Sequence, residues 1–120
     1  MNLKALAKKL ALEEDEFLEL VSLFLKTSSS ELNELQAAIE KGDAQKVAGL
    51  AHSVRGAAVT LGLTEIFEYA KKVEANARVN NLDGATRLVR SIQEELDRIA
   101  EGLNQKVKFK ATSNNLDFEG

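Results

Sequence analysis

The residue best placed for nucleophilic chemistry is His52, the single histidine of a chain that contains no cysteine. On a helical wheel of about 100° per residue, the apolar stripe of its segment runs through Leu50, Val54 and Leu61, and His52 points almost directly away from it. A histidine facing outward has two interpretations, an ordinary exposed side chain or a reactive one. Its neighbours favour the second.

Two glycines and a cation surround this histidine. Gly49 and Gly56 each lie within one helical turn of His52, although a glycine inside a helix costs about 1 kcal/mol relative to alanine. Small residues there leave the imidazole open to another protein, while close packing between helices is the alternative explanation. Arg55 follows at i+3 and could hold a phosphate on the ring through paired hydrogen bonds. The pattern is therefore typical of a phosphoryl-accepting histidine.

The segment 50–63 resembles the signature of histidine-containing phosphotransfer (HPt) domains. That signature has an Ala-His pair, a cation three residues after the histidine, a glycine next, and a hydrophobic-Gly pair nine and ten residues on; the matching residues are Ala51-His52, Arg55, Gly56 and Leu61-Gly62. Arg55 stands where lysine is commoner, which keeps the charge but changes its reach. The resemblance extends from about Glu13 to Leu103.

The resemblance implies a phosphorelay shuttle. The Nε2 atom of His52 would accept a phosphoryl group from a receiver-domain aspartate or from a kinase, and would pass it to another receiver aspartate. The partners would be response-regulator receiver domains, a sensor histidine kinase, or both. The receiver would bring Mg²⁺, so no cofactor or nucleotide site of the chain's own is expected, and no glycine-rich phosphate loop is present.

The resemblance also implies roles for residues around His52. Arg55 would stabilise the phosphoryl group electrostatically. Glu74, 22 residues past the histidine, could orient the ring; the alternative is a solvated surface carboxylate. Family members at the N-terminus of chemotaxis kinases often carry glutamate here. The expected docking surface for a receiver comprises Ala48, Gly49, Gly56, Val59 and Lys71.

The composition predicts an all-α fold that would present this histidine on a helix. Leucine and alanine, 18 and 16 residues, dominate over β-branched types, and proline is absent. The apolar periodicity predicts an antiparallel up-down four-helix bundle over residues 1–105, with a short extra helix at the N-terminus and a flexible tail over 106–120. Gly42-Asp43 and Gly62-Thr64 are predicted turns and helix caps, and the polar run 27–30 could kink or split the second helix.

Charge and hydropathy exclude several classes of function. A net charge of −3 argues against nucleic acid as a partner. No apolar run reaches the roughly 18 residues that span a bilayer, and no secretory signal follows the N-terminus, so a cytoplasmic monomer is expected. Two alternatives to the shuttle stay open: a helical adaptor that is not phosphorylated, and the phosphoacceptor module of a chemotaxis-type kinase. A metal or hydrolytic enzyme is the weakest alternative because one histidine offers too few ligands.

Overall fold

The chain is helical along the part that the structure describes. The computed structural model describes the backbone of residues 3–119 and the side chains of residues 3–104, and it contains five helices and no strand within that range. The helices are α1 (Leu3–Lys9), α2 (Glu14–Glu40), α3 (Ala44–Thr60), α4 (Thr64–Arg78) and α5 (Ala85–Glu119). The all-α prediction is thus confirmed. The predicted tail, 106–120, overlaps the last part of α5; its side chains lie outside the described residues, and its flexibility stays a prediction.

Two short turns set the geometry of α3, the helix that carries His52. Before it, Gly42 adopts φ +70°, and the Asp43 carboxylate accepts a hydrogen bond from the Lys46 backbone N–H at 3.1 Å. After it, Gly62 adopts φ +74°, and the Leu63 N–H returns to the Ala58 carbonyl at 2.9 Å. Both glycines occupy the left-handed conformation that ends helices, as the sequence predicts.

Two local predictions need correction. The polar run 27–30 does not split α2, which is continuous over 27 residues. Ser28 lies one turn from both Phe24 and Leu32 and is fully buried with them, so packing of that face outweighs the weak helix preference of serine. Thr64 does not cap α4 either: Leu63 occupies the cap position and no side chain caps the helix.

The helices pack around one apolar core. In sequence order, α2 packs on α3, α3 on α4, and α4 on α5, while α5 returns to α2 and α1 packs on α2. Leu6 of α1 also reaches the α3–α4 turn, since its Cδ2 atom lies 3.5 Å from the position of a Cβ on Gly62. The largest fully buried side chains come from all four long helices and from the α3–α4 turn; they include Phe17, Leu35, Val54, Leu63, Ile66, Ile92, Leu96 and Ile99.

Among the described residues, no helix is both long and apolar enough to cross a bilayer.

Candidate functional site

The site is built on two helices that the Gly62 turn folds against each other. His52 and Arg55 lie on α3, one turn apart, and Glu74 lies on α4. The structure brings these three side chains, separated by up to 22 residues in sequence, into direct contact. The turn matters because it sets α4 alongside α3 and so determines which α4 residue faces the histidine.

His52 faces outward, as its wheel position predicts. Its side chain is 59% exposed, and its Nδ1 atom lies 2.9 Å from Oε2 of Glu74. A second group reaches the same ring nitrogen, because the Nη2 atom of Arg55 lies 3.0 Å from Nδ1. Both hydrogen-bond contacts of the ring with the described side chains are made at Nδ1, so Nε2, on the opposite edge of the imidazole, is the nitrogen without such a partner.

The glycines beside His52 keep this surface open. A Cβ added to Gly49 or to Gly56 would meet no atom within 4 Å, and neither glycine has a positive φ. Close packing between helices and backbone strain therefore do not explain these residues. Because they have no side chains, they leave the surface around the imidazole free of protruding atoms, as predicted from the sequence.

The remaining predicted surface residues divide into exposed and buried. Val59 is 55% exposed, and Lys71 is exposed with its Nζ 5.9 Å from the centre of the Phe67 ring. Ala48 is the exception, because its side chain is 94% removed from solvent within the core. A wheel places Ala48 on the His52 side of α3, but α4 covers that flank of the helix. Ala48 therefore contributes only to the floor of a groove that Gln45, Gly49 and Arg78 also line.

Glu74 is a buried carboxylate rather than a solvated one. Its side chain is only 6% exposed, and both oxygens are occupied. Oε1 lies 3.0 Å from Nε of Arg55, and Oε2 accepts from Arg78, four residues later on α4, at 3.2 Å from Nε and 2.5 Å from Nη2. The same Oε2 is the atom that contacts His52. Glu74 thus joins two guanidinium groups and the imidazole.

The surrounding cations decide the charge of this carboxylate. Burial alone would raise the pKa of Glu74, but the hydrogen bonds from Arg78 and His52 and the charge of Arg55 outweigh it and lower the pKa below its ordinary value. Glu74 is therefore ionised at neutral pH. An ionised carboxylate only accepts hydrogen bonds, so at 2.9 Å it favours the tautomer with the proton on Nδ1.

Protonation at Nδ1 has a direct chemical consequence. A neutral imidazole has one N–H nitrogen and one nitrogen with a free lone pair. With the proton on Nδ1, the lone pair lies on Nε2 at the exposed edge, where it can attack an electrophile. Orientation of an imidazole by a carboxylate on its other nitrogen is the same arrangement that fixes the tautomer of metal-bound histidines.

Arg78 was not among the site residues predicted from the sequence. Its signal was nonetheless present, because a glutamate followed by a cation at i+4 is a favourable helical pair. The burial of Glu74 was also readable, since Ala70 and Ala77 place it on the apolar stripe of α4. No cluster of three or more possible metal ligands occurs among the described residues.

Comparisons with known proteins give the family. The sequence matches the Hpt domain over residues 19–102. Histidine-containing phosphotransfer protein B (HptB) from Pseudomonas aeruginosa PAO1 has 30% sequence identity and a TM-score of 0.76, with 86% of this chain and 90% of that chain covered. The HPT domain of an Hpt sensor hybrid histidine kinase from Shewanella shares the fold, at 14% identity and a TM-score of 0.73, with 90% and 93% covered.

A search among curated proteins found no match. The match to the Hpt domain covers well over half of the 120 residues, and the similarity to HptB extends across most of both chains. The chain therefore belongs to the Hpt domain family.

Proposed function

We propose that the chain is a histidine phosphotransfer protein of a two-component phosphorelay, with His52 as the phosphoacceptor. Membership of the Hpt domain family supports phosphotransfer between histidine and aspartate. One observation carries the assignment to His52: its Nδ1 is held by the ionised Glu74 while its ring is 59% exposed. This leaves the Nε2 lone pair available at the surface.

The transfer step follows from that geometry. The Nε2 lone pair attacks the phosphorus of a phosphoaspartate on a receiver domain, the bond between phosphorus and the aspartate oxygen breaks, and its electrons return to the carboxylate. Glu74 stabilises the positive charge that develops on the ring, because its Oε2 already accepts from Nδ1–H. The reverse attack by an aspartate of a second receiver passes the phosphoryl group on.

Arg55 has the role of a phosphoryl ligand in this proposal. Its Nε is held by Glu74, whereas its terminal nitrogens are nearest the ring and its side chain is 32% exposed. A guanidinium presents several donors in a fixed fork. The terminal nitrogens can therefore turn toward a phosphoryl group on Nε2 without releasing the contact through Nε.

The partner is expected to dock over the low surface beside His52. We propose that Gly49, Gly56, Val59 and Lys71 contribute to the contact, with Ala48 only at the floor of the adjoining groove. The exposed glycines and the 55% exposed Val59 support this surface. A small interface of this kind suits a transient complex. The receiver would bring the Mg²⁺, and the chain would act as an intermediate without kinase activity or a cofactor of its own.

The arrangement of the helices is also part of the proposal. Each of α2, α3, α4 and α5 packs against two of the others in a closed ring, and the connections within it are three to six residues long. Short connections favour antiparallel neighbours. We therefore propose an antiparallel up-down four-helix bundle, with α1 as the additional N-terminal helix.

A second candidate function is the phosphoacceptor module of a chemotaxis-type kinase, and the observation that favours it is the glutamate at position 74. In that case the donor would be ATP on a separate kinase domain. A non-phosphorylated adaptor is less favoured, because such a protein has no need for a histidine whose ring is oriented by a buried carboxylate.

The test measures transfer directly. The chain, with His52→Gln as its control, is mixed with a panel of phosphorylated receiver domains and analysed by intact mass before and after acid treatment. We expect one acid-labile phosphoryl group on the chain and none on the variant, which should keep its melting temperature because the replaced ring is exposed. Labelling only by a kinase domain with ATP would establish the second candidate, and an unlabelled chain that still binds a receiver would establish the adaptor.

A further inference from the structure

Arg78, the last residue of α4, makes contacts that the proposed function does not use. It donates from both Nε and Nη2 to Oε2 of Glu74, although its own side chain is 59% exposed. Among the described side chains, no hydrogen bond or ion pair joins Arg78 to His52. Its hydrogen-bonded connection to the histidine runs through Oε2 of Glu74.

That effect is needed because two neighbours compete for the same nitrogen of His52. Glu74 Oε2 lies 2.9 Å from Nδ1, and Arg55 Nη2 lies 3.0 Å from it. A carboxylate only accepts and a guanidinium only donates, so the two neighbours favour opposite tautomers. Glu74 favours the proton on Nδ1, which frees Nε2, whereas Arg55 favours a lone pair on Nδ1, which places the proton on Nε2 and blocks attack.

The charge and orientation of the carboxylate decide this competition. Glu74 is 94% buried, so without compensating cations its neutral form would gain. Arg55 cannot serve this purpose alone, since it is itself the competitor at Nδ1 and the proposed ligand of the phosphoryl group. Arg78 binds the very oxygen that faces the ring and lies on the same helix as Glu74, four residues away.

We propose that Arg78 is a positioning residue, which keeps Glu74 ionised with Oε2 directed at Nδ1, so that the reactive lone pair of His52 stays on Nε2. This inference rests on the proposed function, because a free Nε2 lone pair matters only if His52 accepts a phosphoryl group. The effect of Arg78 on the tautomer of His52 does not depend on that function. The two arginines then have different roles. The terminal nitrogens of Arg55 can bind the phosphoryl group, while Arg78 keeps compensating the charge of the Glu74 carboxylate throughout the transfer.

The single histidine makes the test unambiguous, because every imidazole nitrogen signal of the isotopically labelled chain belongs to His52. Nitrogen NMR at neutral pH reports the ratio of the two tautomers in the wild type, Arg78→Gln, Arg78→Lys and Lys72→Gln. The last variant removes the same charge from an exposed position on α4. We expect a ratio in favour of Nδ1–H in the wild type, a fall of about threefold or more in Arg78→Gln as the charge-assisted bond is weakened, and substantial recovery in Arg78→Lys.

The control should match the wild type, and circular dichroism should show equal helix content in all four proteins. An unchanged ratio in a folded Arg78→Gln variant would overturn the inference, as would an equal fall in Lys72→Gln. Failure of the proposed function looks different: a wild-type chain that accepts no phosphoryl group, yet shows the expected tautomer ratios, would remove the shuttle and leave the role of Arg78 standing.

Discussion

Replacing Glu74 by alanine should reverse the tautomer of His52, not merely weaken its preference. In the wild type the ring nitrogen Nδ1 has an acceptor at 2.9 Å and a donor at 3.0 Å, and we expect the ionised acceptor to prevail. In Glu74→Ala only the guanidinium of Arg55 remains near Nδ1. Because that group can only donate, the proton should move to Nε2.

The size of the change follows from the bonds exchanged. A hydrogen bond to a charged group contributes about 1.5–3 kcal/mol, and each 1.4 kcal/mol changes an equilibrium about tenfold. Loss of the carboxylate should therefore lower the ratio of Nδ1–H to Nε2–H by roughly ten- to a hundredfold. The rate of phosphoryl transfer from a receiver should fall with it, since the population with a free Nε2 lone pair shrinks.

The assay is nitrogen NMR of the labelled chain, followed by transfer kinetics from one phosphorylated receiver. Glu68→Ala is the matched control, as it removes an exposed carboxylate from the same helix. The double variant Glu74→Ala/Arg55→Ala should recover part of the Nδ1–H population because the competing donor is gone. If Nδ1 stays protonated in Glu74→Ala while the fold is intact, the reasoning about the tautomer is refuted.

Four further predictions concern stability and docking. Burial and a hydrogen bond with Glu65 raise the pKa of Glu95 above its ordinary value, so the folded state loses stability as pH rises through that raised pKa. In denaturation measurements Glu95→Gln should be more stable than the wild type at pH 7, and the difference should vanish below the ordinary pKa of glutamate. Ser28→Ala should raise the free energy of unfolding by about 1 kcal/mol, because the buried hydroxyl has no hydrogen-bond partner among the described residues. A fall of the same size in the free energy of unfolding would show that the hydroxyl has a partner. Leu96→Ala should cost about 2–5 kcal/mol, since Leu96 is 2% exposed, and a change under about 0.5 kcal/mol would contradict its place in the core. Gly56→Leu should keep its helicity but slow transfer, whereas normal rates would argue against the low docking surface.

The positions of the helices follow from the sequence because each signal is local. An apolar stripe at helical spacing, a glycine in the left-handed region and a carboxylate at a helix start act within one or two turns of chain. The predicted break at the polar run 27–30 of α2 is absent because this prediction used local signals alone. The propensity of this run is local, but the packing that overrides it comes from Phe24 and Leu32 against the other helices.

The site was predictable only in part, because it depends on how α3 and α4 face each other. The outward direction of His52 can be read from its own helix. The covering of Ala48 and the contacts of Glu74 with His52 and Arg55 depend on the relative rotation of the two helices, which a wheel of one helix does not contain. The sequence shows that Ala70, Glu74 and Arg78 follow one another at four-residue spacing. Only the contact between Glu74 and His52 shows that this carboxylate acts on the imidazole.

The most direct test of the central claim identifies the atom that carries the phosphoryl group. The labelled chain is phosphorylated with the small donor phosphoramidate, and the nitrogen spectrum of its single histidine is recorded. The intact mass of His52→Gln treated in the same way serves as the control for labelling elsewhere. We predict phosphorus bonded to Nε2, with the Nδ1 proton retained and hydrogen-bonded to Glu74. Phosphorus on Nδ1, or equal labelling of the His52→Gln variant, would contradict the account.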